Sequence, residues 1–192
     1  GETYYSWGEG NFFFSDTFIV FETFLNSDDI YCFGERSRKF KLEKGIYTIW
    51  PNDTVTPLDD GLGGKNLYGT QPFGLHRTKN GQFVGIFFLN INSQDFLINP
   101  GERTSLEHRT IGGVIDLYIF TGSTPEEVIK KYHKIVGKPP VPPIWGLGWH
   151  QCRWGYKTDD TELNIFRKYL EEQIPLDVMW NDIDYMSDYR DF

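Results

Sequence analysis

The chain has 192 residues, room for one domain or one and a half. Its 39% of hydrophobic residues can build a core and argues against wholesale disorder, while a net charge of −8 repels phosphate backbones and counts against nucleic acid as a partner. No apolar run approaches the roughly 20 residues that a membrane-spanning helix needs, since runs such as 18–21 and 86–89 are strand-sized.

Aromatic residues are abundant at 17%, with 16 Phe, 11 Tyr and 6 Trp. They fit the pleated, half-buried surface of a β-sheet, and flat rings also stack on the C–H faces of sugars. Composition favours the first reading. Up to about residue 121 the chain reads as strands and turns: 18–25, 30–33, 46–50, 83–89, 95–98 and 114–120 are rich in Phe, Ile, Val and Tyr, with Gly, Asn, Asp and Pro between them. The last alternates, placing Val114 and Asp116 on one side and Ile115 and Leu117 on the other. Short strands with turn punctuation point to an all-β sandwich. The stretch 51–66, PNDTVTPLDDGLGGKN, is polar and aperiodic, and so long a loop in a compact domain is usually functional or disordered. Within it, Asn52-Asp53-Thr54 is a glycosylation triplet, and Asp59-Asp60-Gly61 reads as a solvated turn.

At Thr124 the rhythm changes. Thr124-Pro125-Glu126-Glu127 is a helix start with a capping box. Val128, Ile129, Tyr132, Ile135 and Val136 follow on one face of a helix over 124–136, and Gly137 ends it. Four prolines in 139–143 make a stiff connector, so the domains are expected at 1–138 and 139–192. Beyond the connector, 144–152 reads as an apolar strand. A helix follows with Leu163, Phe166, Tyr169 and Leu170 on its face, and 176–180 is a second strand. This βαβ unit belongs to a parallel sheet, which needs both faces covered. A βα barrel takes about 250 residues, far more than the segment after the connector supplies. The expected fold class is therefore mixed: an all-β sandwich followed by the first two strands and first helix of a (β/α)8 barrel, the barrel incomplete.

Two segments fall at the C-terminal ends of the parallel strands, where barrel active sites gather: 151–156, QCRWGY, and 180–186, WNDIDYM. A carboxylate there can accept hydrogen bonds from sugar hydroxyls while a Trp face stacks on the ring. A structural ion pair of Arg153 with Asp182 or Asp184 fits the same residues equally well. His76, His108 and His133 read as surface or capping residues, and His150 as a satisfied core residue. Cys32 and Cys152 fit no metal or redox spacing and read as buried free thiols. No metal or cofactor motif is evident.

PPIWGLGWHQCRWGY followed by IPLDVMWNDIDYM closely resembles the start of the catalytic barrel in glycoside hydrolase family 31, in its maltase-type α-glucosidases. Upstream, YCFGERSRKF, YTIWPNDTVTP, GGKNLYGTQPFGL, FFLNINSQD and GGVIDLYIFTGSTPEEVIKKYH resemble the family's N-terminal β-sandwich in the same order. The resemblance implies a retaining, exo-acting α-glucosidase that releases α-linked glucose from the non-reducing ends of malto-oligosaccharides. Retention uses two carboxylates about 5 Å apart. The family's nucleophile lies in a W-x-D-M-N-E motif that these 192 residues do not contain, and its acid/base comes later still. The segment is therefore expected to be an inactive fragment that needs the remainder of the barrel. The same resemblance makes Asp182 a ligand of the terminal glucose hydroxyls, with Ile183 and Trp154 lining that pocket and Asp53 reaching the neighbouring subsite. Asp184 and Arg153 are expected to pair structurally. No cofactor is implied, and the compartment is the secretory pathway, extracellular or lysosomal. The alternatives are a non-catalytic carbohydrate-binding or scaffold protein retaining the front of the fold, or a related α-xylosidase or α-glucan lyase.

Overall fold

The structure, a computed structural model, describes residues 5–6, 10, 12–51 and 65–191. Asp53, the Asn52 triplet and the Asp59-Asp60-Gly61 turn lie outside the described residues. The chain divides into two compact units, Gly1–Lys138 and Pro139–Phe192.

The first unit strings together β1 (Tyr5–Ser6), β2 (Phe12–Ser15), β3 (Phe18–Leu25), β4 (Asp29–Cys32), β5 (Gly45–Ile49), β6 (Phe73–Arg77), β7 (Phe83–Phe88), β8 (Gln94–Asn99), β9 (Thr104–Thr110) and β10 (Leu117–Gly122) before helix α1 (Pro125–Val136). One sheet runs β1-β3-β9-β8-β5, with β2 also on β3; the other runs β10-β7-β6-β4. Every pairing in these two sheets is antiparallel. Leu25, Tyr47, Phe96, Ile98 and Leu106 of the first sheet meet Ile30, Val84, Ile86 and Phe88 of the second in one buried core. Each such side chain contributes on the order of 2 kcal/mol of burial. Cys32 and Phe33 sit at φ 76 and 53, which ends β4 and turns Phe33 inward to stack on Phe96 with ring centroids 4.0 Å apart.

Register decides which residues face outward. Ile49, Gln94, Thr110 and Ile19 lie side by side across β5, β8, β9 and β3, and all four are buried. Their sequence neighbours Thr48, Asp95 and Arg109 are likewise paired strand to strand, so this row faces away from the core. Next to it, one residue beyond the buried row, stand exposed Trp50, Ile111 and Phe18.

Several expectations are corrected. His76 and His108 are core residues, not surface or capping ones. Nε2 of His108 lies 2.8 Å from Gln94 Oε1 and its ring stacks on Phe88. Nε2 of His76 lies 3.0 Å from Ser27 Oγ. Burial holds both imidazoles near a pKa of about 4. Cys32 is exposed and Cys152 half-buried, both as free thiols. The last strand of the unit begins at Leu117, because the chain bends at 111–113 and runs irregularly over 114–116, held by Asn90, whose amide donates to the carbonyls of Gly112 (2.9 Å) and Val114 (3.1 Å).

Thr124 caps α1, accepting from Glu127 N at 3.3 Å, and Glu127 Oε2 accepts from Ser123 N at 2.8 Å, one residue ahead of the cap. The buried stripe of α1 is narrower than the periodicity suggests. Val128 is fully buried and Tyr132 packs on Phe73 and Phe87, whereas Ile129, Ile135 and Val136 are exposed. The seat is flat because Gly85 and Gly122 lie beneath Val128.

The second unit carries a 3-10 turn at Ile144–Leu147, β11 (His150–Gln151), α2 (Asp159–Glu171), β12 (Val178–Met179) and 3-10 turns at Ile183–Tyr185 and Ser187–Tyr189. β11 and β12 are parallel and joined through α2, whose N-terminus is capped by Thr158. The apolar run 144–152 is thus a turn and a two-residue strand rather than one continuous strand. Its glycines allow the break, and the Asp177 carboxylate fills the space above Gly148, where a Cβ would lie 2.0 Å from Oδ2. His150 is exposed among the described residues, and its Nε2 lies 3.3 Å from the Trp145 carbonyl. On α2, Leu163, Phe166 and Leu170 are exposed and Tyr169 is half-buried.

Candidate active-site rim

Because β11 and β12 run parallel, the segments that follow them emerge at the same end. Trp180 N donates to the Gln151 carbonyl at 3.2 Å, extending the pairing by one step. Asp177 anchors the start of the pair: its Oδ2 accepts from Trp149 N at 2.9 Å, and its own N–H donates to the Trp149 carbonyl at 3.0 Å. Behind the strands, Trp149 Nε1 donates to Tyr169 Oη (3.0 Å), Tyr169 donates to Gln151 Oε1, and Gln151 Nε2 donates to Tyr156 Oη (3.0 Å). This chain of bonds runs from α2 to the segment after β11.

At the strand ends, Asp184 Oδ2 accepts from the Gly155 N–H at 2.5 Å. Gly155 has φ +117, which L side chains rarely adopt, so the approach depends on glycine. The two strand-end segments are thereby fastened together. Asp182 opens the Ile183–Tyr185 turn, its Oδ1 accepting from Ile183 N at 2.7 Å. Asp182 is half-buried, and its Oδ2 has no partner among the described residues. The thiol of Cys152 is raised above its ordinary pKa, first by burial and then by the negative charge of Asp182, which places the first residue after β11 near that carboxylate.

The structure therefore brings Asp182 and Ile183 onto one turn and fastens the segment carrying Trp154 beside it. Trp154 is 66% exposed and Ile183 37%. Arg153 forms no ion pair with Asp182 or Asp184 among the described residues; the backbone N–H of Gly155 takes the place expected for its guanidinium. Of the residues that hold the rim in position, Asp177 went unmarked in the sequence reading and Tyr169 was read only as part of an apolar helix face. An Asp inside the apolar run LDVMW was the available signal, since a carboxylate in a strand calls for a donor.

Residues 139–192 match the family model described as the glycosyl hydrolases family 31 TIM-barrel domain. The lysosomal alpha-glucosidase of Mus musculus is 38% identical over 94% of this chain and 18% of its own length. The chain belongs to glycoside hydrolase family 31. Among its family 31 relatives, intestinal sucrase-isomaltase of Homo sapiens is 36% identical, with all of this chain and 10% of that protein covered. The DNJ-bound crystal structure of a glucosidase II alpha subunit aligns with a TM-score of 0.80 at 26% identity, over 90% of this chain and 21% of the other. The chain spans about a fifth of the length of most curated family 31 relatives it matches.

Proposed function

We propose that these residues form the substrate-binding front of a retaining, exo-acting α-glucosidase that releases glucose from the non-reducing ends of malto-oligosaccharides. The observation that carries this reading is the pair of parallel strand ends tied by Asp184 and Gly155, with Asp182 beside them. In this reading 139–192 open a (β/α)8 barrel, and the remaining strands complete it.

Asp182 receives hydroxyls of the terminal glucose on Oδ2 while Ile183 N–H holds Oδ1. A carboxylate fixed in this way penalises a sugar that lacks the matching hydroxyl. Trp154 and Ile183 supply apolar faces for the ring. Asp53 serves the neighbouring subsite, a role that rests on its motif. The nucleophile and the acid/base, two carboxylates about 5 Å apart, come from other strands of the barrel, so residues 1–192 alone do not hydrolyse the bond. The protein works in the secretory pathway, in a lysosome or outside the cell.

Asp182→Ala in the complete enzyme tests the assignment. Loss of a charge-assisted bond of about 1.5–3 kcal/mol lowers kcat/KM for maltose by roughly 10- to 100-fold with unfolding unchanged. Parent-like kinetics would remove Asp182 from the site. Asp53→Ala should impair maltotetraose more than an aryl α-glucoside; an equal loss on both would remove it from the second subsite.

A further inference from the structure

We propose that the outer face of the six-stranded sheet carries a second, non-catalytic carbohydrate site built on Trp50. Its choice of α-linked glucan rests on the function proposed above. A cavity of about 350 Å3 lies there, lined by Trp50, Phe18, Ile111, Thr48, Asp95 and Arg109. This is near the lower end of the roughly 300–1,000 Å3 typical of small-ligand sites.

The register makes the surface two-toned. Thr48, Asp95 and Arg109 form a polar row across three neighbouring strands. Beside it runs the apolar row, with Trp50 61%, Ile111 58% and Phe18 40% exposed. Exposed apolar groups gathered next to polar ones mark a binding surface rather than chance exposure. Protein interfaces place their aromatic anchors at a desolvated centre inside a polar rim. Here a row of hydrogen-bonding groups and a row of exposed apolar side chains lie side by side on one face of the sheet. That is the complement of a pyranose, with apolar C–H faces and hydroxyl edges.

The polar groups keep capacity for a ligand. Asp95 Oδ1 accepts from Thr48 Oγ1 at 2.6 Å, and Oδ2 has no partner among the described residues. Arg109 is paired through Nε to Glu107, and no described residue accepts from its Nη groups. A guanidinium fork beside a carboxylate offers donors and an acceptor to vicinal hydroxyls.

Cyclic maltoheptaose is the probe, because it has no non-reducing end to offer an exo-acting pocket. Titration of the complete enzyme, followed by calorimetry and tryptophan fluorescence, should give a Kd on the order of 0.1–1 mM. Trp50→Ala and Arg109→Gln should each weaken it at least about tenfold, and Trp50→Phe, which keeps a ring, by less. No binding by the parent would overturn the site, as would parent-like binding by Trp50→Ala and Arg109→Gln. So would self-association through this face, seen as a sedimentation change that Trp50→Ala abolishes without any sugar response. Maltose hydrolysis measured in parallel tests the catalytic reading separately, since the cyclic probe reports on the groove alone.

Discussion

Val128 of α1 rests directly on Gly85 of β7: a Cβ at position 85 would lie 2.5 Å from Val128 Cγ1. The helix approaches the sheet this closely only because that strand residue has no side chain. Gly85→Ala should therefore push the helix outward and cost about 1–3 kcal/mol in urea unfolding. The cost should shrink in a Val128→Ala background, where the methyl has room. Equal costs in both backgrounds would show that the contact is not what limits the helix position.

His76 and His108 are neutral in the fold, with pKa values near 4 against 6.5 for an unhindered imidazole. Between those values the unfolded chain takes up more protons than the folded one. Their stabilising contribution is therefore complete above pH 6.5, falls as the pH drops from 6.5 to 4, and changes no further below that. Each shift corresponds to roughly 3 kcal/mol. Denaturant midpoints measured from pH 7 to pH 4 should fall less steeply in His108→Gln than in the parent. An unchanged slope would show that His108 already carries its proton in the fold.

Asp184 binds a backbone N–H rather than a guanidinium, so its substitutions should separate by acceptor capacity. Asp184→Asn keeps a carbonyl oxygen for Gly155 and should leave kcat/KM for maltose within about threefold of the parent, whereas Asp184→Ala frees the two rim segments and should lower it by about tenfold or more. Similar losses in both would point to the charge, not the tie. Gly155→Ala should cost about 1–3 kcal/mol through its left-handed backbone alone.

The N-terminus of α1 offers a smaller effect. Thr124→Ala removes the hydroxyl that accepts from Glu127 N and should cost about 1 kcal/mol. Glu127→Gln keeps an acceptor for Ser123 N and should cost less; the reverse order, read from thermal melts, would mean that the glutamate's charge dominates the cap.

Local signals carried much of the fold. Strand 18–25 was legible to the residue, because a run of Phe, Ile and Val ends at Asn26-Ser27-Asp28. The start of α1 announced itself through its threonine cap, and α2 through the apolar face of Leu163, Phe166, Tyr169 and Leu170. Strands Thr104–Thr110 and Phe73–Arg77 were missed for a physical reason. TSLEHRT is polar along most of its length, and its inward residues are buried through hydrogen bonds such as His108 to Gln94, which no alternation of hydrophobicity records. FGLHR contains a glycine and a histidine that tertiary packing places in the sheet. At the rim, Asp182 was legible as a residue type at a strand end. The Asp184–Gly155 tie was not, because it joins segments 29 residues apart and one partner is a backbone N–H.

The relay from Trp149 through Tyr169 and Gln151 to Tyr156 has an evolutionary corollary. Losing the phenol of Tyr169 would break two links of it at once and release the strand-end segment from the helix behind. Among descendants of this gene, position 169 should therefore tolerate little beyond tyrosine, because phenylalanine keeps the ring but supplies neither the acceptor for Trp149 nor the donor for Gln151.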